Sequence, residues 1–121
     1  MTHAFMYPRV TQIAPRAHSV TASSLATYLQ AVQQAFREVS DALVANEKNH
    51  QYRERQQALR TAAQQANDLS TIRYQGGATS YLEVLQSATN LFEAEIGLAQ
   101  AQLNERLAVV QIYNALGGSW Q

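Results

Sequence analysis

No cysteine occurs in the 121 residues, which excludes disulfide staples and thiolate metal sites and leaves the redox compartment open. Net charge is also absent, with nine basic and nine acidic side chains, so nothing electrostatic draws the chain to nucleic acid. No apolar run reaches the ~18 residues that a membrane-spanning helix needs. The first twenty residues lack a basic start followed by an apolar core, so no signal peptide is read there. Glycine and proline are missing altogether from Leu25 to Tyr74, and downstream from Tyr81 to Leu116 only Gly97 interrupts.

What fills those two stretches is Ala, Gln, Leu, Arg and Glu, residues favourable to helix interiors. The break between them, RYQGGATSYLEVLQ, is therefore the most informative part of the chain. Gly76 and Gly77 offer the left-handed conformation that ends a helix. Thr79 or Ser80 supplies an N-cap oxygen, and Glu83 stands three residues beyond Ser80, as in a capping box. The expected fold class is all-α: a long antiparallel two-helix hairpin, coiled-coil-like, with a helix over about 24–74, a tip at 75–80, a helix over about 81–116 and a C-terminal cap at 117–121. Residues 1–22 are expected to be an irregular or disordered lead, because Pro8 and Pro15 interrupt helix there, and Ser23 or Ser24 is expected to cap the first helix.

Helices of this length, about 75 Å and 50 Å at ~1.5 Å per residue, cannot fold back into a compact globule. Leu25, Leu29, Val32, Phe36, Val39 and Leu43 form one stripe, which then fails at Asn46, His50, Arg53 and Gln57. That polar segment, NEKNHQYRERQQ, must be solvated or face polar neighbours; its functional reading is a belt where other layers meet the hairpin. Apolar character resumes with Leu59, Ala62, Ala63, Ala66, Leu69 and Ile72, expected to let a partner helix approach closely. On the second helix Leu82, Leu85, Phe92, Ile96, Ala99, Leu103, Val110 and Tyr113 make a stripe expected to face the first helix. A second stripe, Val84, Ala88, Leu91, Leu98 and Val109, turns away and implies another neighbour. Trp120 offers a docking aromatic just past the second helix. Antiparallel pairing brings Arg60 near Glu95 and His50 near Glu105, contacts that bias register and add only ~0.2–1 kcal/mol each.

Chemistry beyond packing finds little support. His3, His18 and His50 are scattered without a second ligand at helical spacing, so no metal site is expected, and no cofactor is either. Gly76-Gly77 lacks the preceding strand and the following Lys of a phosphate loop, and no nucleophile and base are paired. The chain is not read as an enzyme.

Three separated motifs, QAVQQAFREVSDAL, RYQGGATSYLEVL and GLAQAQLNERLAVVQIYNALGGSW, occur in an order and spacing that resemble the C-terminal part of the TolC family of outer-membrane efflux channels, in the branch serving resistance–nodulation–division multidrug pumps. The resemblance covers about Leu25 to Gln121. It implies a homotrimer with a membrane β-barrel and a periplasmic α-barrel, working with a periplasmic adaptor and an inner-membrane pump, with no nucleic acid involved. On that pattern the chain is a fragment of a trimeric α-barrel, located at the outer membrane and periplasm in a full-length member. By itself it is expected to lack a leader and barrel strands and to be soluble. Tyr74 and Gly77 match the tyrosine and glycine of the periplasmic tip, and Glu83 falls where the family places an acid facing the narrowed pore. Three such carboxylates would favour cations. Gln86 stands where some members carry a second acid, and Thr79 where others carry an arginine that holds the tip closed, so charge-based latching is not expected here. The residues alone also accommodate other readings. Glu83 serves equally as a helix-capping acid, Tyr74 as a hairpin-closing aromatic, and the whole chain as a free-standing helical-hairpin interaction module or truncated gene product without transport activity.

Overall fold

The structure, a computed structural model, describes residues 13–117, with side chains from Val20 onward. It contains two helices: α1, Ile13–Gln75, of 63 residues, and α2, Tyr81–Gly117, of 37 residues. The expected C-terminal cap beyond Gly117, including Trp120, and residues 1–12 of the expected lead lie outside the described residues. Over residues 13–22 the expectation of irregular chain is corrected. α1 starts at Ile13, so Ser23 and Ser24 lie inside it. Pro15 is the third residue of the helix, where a backbone N–H would have no intrahelical partner in any case, and its ring is tolerated in that first turn.

The chain divides into two units, Met1–Arg37 and Glu38–Gln121. In the first, Leu25, Leu29, Val32 and Phe36 are all exposed. The second is the hairpin, in which the remainder of α1 runs antiparallel to α2.

Burial along α2 recurs every seven residues, at Ala94, Ala101 and Ala108. Between them Leu91, Leu98, Glu105 and Ile112 are partly buried, and the row continues towards the tip through Ser87 and Val84. α1 answers with the same spacing: Ala42, Asn49, Gln56, Ala63 and Ser70 in one row, and Val39, Asn46, Arg53, Arg60 and Asn67 in the other, all buried or partly so. Alternation by three and four residues is the heptad period of a left-handed coiled coil. Its contents differ from the usual leucine seam. Alanine and short polar residues at buried positions permit close helix approach.

This overturns the expected assignment of faces. Leu82, Leu85, Phe92, Ile96, Leu103, Val110 and Tyr113 do not cover α1; Phe92 is 62% and Leu103 55% exposed. The stripe expected to turn away supplies the seam instead, through Val84, Leu91 and Leu98, while its Ala88 and Val109 are exposed. Likewise Leu43, Leu59, Leu69 and Ile72 of α1 are exposed. The physical reason is size: the fully buried positions of the seam, Ala42, Ser70, Ala94, Ala101 and Ala108, all carry small side chains, whereas its larger residues, such as Leu91 and Leu98, are only partly covered.

Polar contacts hold the register. Arg60 Nη2 donates to Glu95 Oε1 at 3.3 Å, as the charge pattern predicts. Glu105 reaches across the seam to Arg53 Nε at 2.9 Å and to His50 Nδ1 at 3.2 Å, and His50 Nε2 also lies 3.3 Å from Glu54 on its own helix. The polar belt of α1 therefore faces a polar neighbour rather than solvent alone. The hydrogen bond from Arg53 holds the Glu105 carboxyl below the usual glutamate range, with burial opposing it and His50 adding to it. Close to the tip, the Ser70 and Ser87 hydroxyls are 2.5 Å apart, and Ser87 Oγ lies 3.1 Å from Asn67 Oδ1. Ser70, only 4% exposed, is thus a buried polar residue with its partners in place.

Candidate functional site

Where α1 ends, the chain must reverse within five residues, and the backbone does so by satisfying the carbonyls that a helix end leaves without partners. Gly77 takes φ of +76°, a left-handed conformation that only glycine adopts without strain. Its N–H donates to Tyr74 O at 3.0 Å, and the Ala78 N–H donates to Arg73 O at 2.8 Å. These paired bonds make a Schellman cap. Gly76 N donates to Ile72 O at 3.0 Å, extending the helical pattern by one bond. Ser80 is the residue before α2, and its carbonyl accepts the Glu83 N–H at 3.2 Å.

The tip is ringed by side chains that the turn brings together. The Tyr74 and Tyr81 rings face each other across it, with centroids 5.3 Å apart and planes tilted by 54°. Both are about half exposed. Glu83, in the first turn of α2, accepts from Arg73 Nη1 at 3.0 Å on one carboxylate oxygen and from the Thr79 hydroxyl on the other. The capping-box reading is corrected in this respect, because the Glu83 side chain is engaged with Arg73 and Thr79. Its negative charge still sits at the positive end of the α2 dipole, a favourable placement. Gln86 lies one turn further along, exposed, with its amide N donating to Asn90 Oδ1 at 3.2 Å.

Of the residues singled out from the sequence, Tyr74, Gly76, Gly77, Thr79, Ser80 and Glu83 thus share one small region, while Gln86 turns to its own helix. Arg73, Tyr81 and the Asn67–Ser70–Ser87 knot were missed. Arg73 was within reach of sequence reasoning, since it faces Glu83 in the same antiparallel register that pairs Arg60 with Glu95. Nothing in the local sequence marks Ser70 or Ser87. Among the described residues no cluster of His, Asp and Glu is arranged to hold a metal ion, and no helix is long and apolar enough to cross a membrane. The arrangement is one of packing and charge.

The profile of the outer membrane efflux protein family matches residues 16–118. The chain belongs to that family. Outer membrane protein OprJ of Pseudomonas aeruginosa is 33% identical over 98 residues, which cover 81% of this chain and 20% of the relative. The toluene efflux pump outer membrane protein TtgI of Pseudomonas putida is 38% identical over 96 residues, covering 79% and 20%. The cation efflux system protein CusC of Escherichia coli is 35% identical over 98 residues, covering 81% and 21%. The chain therefore spans about a fifth of the length of these curated relatives. A crystal structure of a membrane protein from Pseudomonas aeruginosa superposes with a TM-score of 0.70 at 28% identity, over 96% of this chain and 27% of that one. The family and the two-helix fold that the three motifs imply are both found.

Proposed function

We propose that this efflux-family hairpin forms part of the periplasmic tunnel wall of an outer-membrane efflux channel, with residues 75–80 at the tip constriction of a homotrimer that exports small molecules together with a periplasmic adaptor and an inner-membrane pump. The observation that carries the reading is the distribution of apolar side chains. The hairpin closes on itself through alanine and leaves Leu43, Leu59, Leu69, Leu82, Leu85, Phe92, Ile96 and Leu103 exposed on its flanks. Each buried large apolar side chain contributes roughly 1.5–3 kcal/mol, so so many exposed together call for neighbouring helices. A cylinder of hairpins covers both flanks of every member, which a lone pair cannot.

At the constriction, Glu83 and the tyrosine pair are the groups that meet the permeating solute, and threefold repetition multiplies whatever charge they carry. The test is a graft. Residues 25–117 replace the matching stretch of TtgI in a Pseudomonas putida strain lacking its own copy, and toluene tolerance is scored. Retained tolerance is the expected result. A graft that reaches the outer membrane in normal amount without restoring tolerance overturns the reading and favours a free-standing interaction module.

A further inference from the structure

The tip carries one acid and one base, and they touch. Arg73 is the last basic residue before the turn and Glu83 the first acid after it, with Nη1 and Oε1 3.0 Å apart and both side chains about half exposed. The second Glu83 oxygen takes the Thr79 hydroxyl. From Arg73 to Gln86 these two are the only formally charged side chains. We infer that Arg73 is a specificity-determining residue of the constriction, cancelling the Glu83 charge so that the tip presents a compensated ion pair rather than a bare carboxylate ring. The inference rests on the channel reading above and corrects the cation preference expected from Glu83 alone.

The physical argument does not need a strong ion pair. A half-exposed pair adds little to stability, yet its effect on a permeating ion depends only on where the two charges sit. A lone charge acts on an ion as 1/r, whereas two opposite charges 3 Å apart act nearly as a dipole and fall off faster. Within a constriction, several ångströms from each pair, most of the Glu83 attraction for cations is offset. The Schellman cap fixes this pairing from the backbone outward. Gly77 and Ala78 bind the carbonyls of Tyr74 and Arg73, which sets where α1 ends and so where the Arg73 side chain emerges opposite the first turn of α2. Thr79 holds the carboxylate from the turn side, so both oxygens are engaged and the carboxylate is aimed at Arg73.

Reversal potentials of the TtgI graft in a potassium chloride gradient test this. Arg73→Gln is expected to raise the cation-to-anion permeability ratio by about twofold or more, because it leaves the carboxylates uncompensated. Glu83→Gln is expected to lower the ratio, the double variant to return near the parent value, and Arg73→Lys, which keeps the charge, to stay with the parent. Raising the salt should shrink all of these differences. A conducting graft in which Arg73→Gln leaves the ratio unchanged, whether or not Glu83→Gln moves it, overturns the inference. A graft that conducts no current in its parent form rejects the channel reading itself, and the pairing is then decided on the 121-residue chain by arginine side-chain NMR. There the Arg73 guanidinium should rotate more slowly than that of Arg55, and Glu83→Gln should abolish the difference. Equal rotation of the two in the unmodified chain overturns the pairing.

Discussion

Ala101 is 1% exposed and Phe92, nine residues away on the same helix, is 62% exposed. The fully buried positions of the inner seam are alanine and serine, with polar residues and a few partly covered aliphatic ones between them, while the flanks carry most of the large apolar side chains. That inverts the arrangement of a self-sufficient two-helix coiled coil, where leucine fills the seam and charge lies outside. The difference teaches that apolar character along these helices does not by itself mark the face that pairs them, and it accords with the assembly proposed above. A thin seam sets register within the chain, and the apolar area capable of strong stabilisation stays exposed on the flanks.

The comparison breaks first in the seam. Ala101→Leu inserts three carbons at the most buried position of the seam and should cost about 1–3 kcal/mol, the usual cost of overpacking, read from urea unfolding of the 121-residue chain. Unchanged unfolding would mean that Ala101 is not enclosed. Next is the polar knot. Ser87→Ala deprives Ser70 and Asn67 of their cross-helix partner and should cost on the order of 1 kcal/mol, with faster amide exchange around Ser70 as the local sign.

The Glu105 cluster gives a pH signature. Its carboxyl titrates below the ordinary glutamate range because Arg53 donates to the charged form. A carboxyl depressed by folding stabilises the hairpin above its unfolded-state pKa, and that contribution disappears as the pH falls through the lower folded-state value. Acidification from neutral to below the glutamate range should therefore lower the melting temperature, and Glu105→Gln should flatten this segment of the profile. Equal acid sensitivity in both proteins would remove Glu105 from the register-setting contacts.

The smallest effect is expected on the flank. At protein concentrations low enough to keep the chain monomeric, Phe92→Ala and Leu103→Ala should each change stability by no more than about 0.5 kcal/mol, as surface substitutions do. A buried Phe or Leu would cost about 2–5 kcal/mol. A large loss that grows with protein concentration would show a second chain covering the flank, and a large loss independent of concentration would restore these residues to the interior.

Much of this was legible before any coordinates. Long runs without Gly or Pro predict the two helices, and Gly76-Gly77 predicts their boundary, because these are local backbone preferences. The Arg60–Glu95 and His50–Glu105 pairs followed from placing the turn, since one reversal point sets an antiparallel register for the whole hairpin. The start of α1 was misread because proline breaks a helix interior yet suits a first turn, and sequence alone does not say which of the two Pro15 occupies. The site was legible in part. Tyr74, Gly77 and Glu83 stood out by motif, whereas the engagement of both Glu83 oxygens depended on side-chain geometry at the turn.

The choice of inner face lay furthest from the sequence. Each helix carries apolar residues at heptad spacing on more than one stripe, and periodicity ranks the stripes by size and hydrophobicity, which favours the one with Phe92 and Leu103. Helix type, turn position and pairing register were thus determined by the sequence itself, through backbone propensity and the geometry of one reversal. Which stripe is buried was decided only in the tertiary structure, where two helices linked by a five-residue tip bury alanine and serine between them, and where Glu105 finds Arg53 and Ser70 finds Ser87 in the same seam.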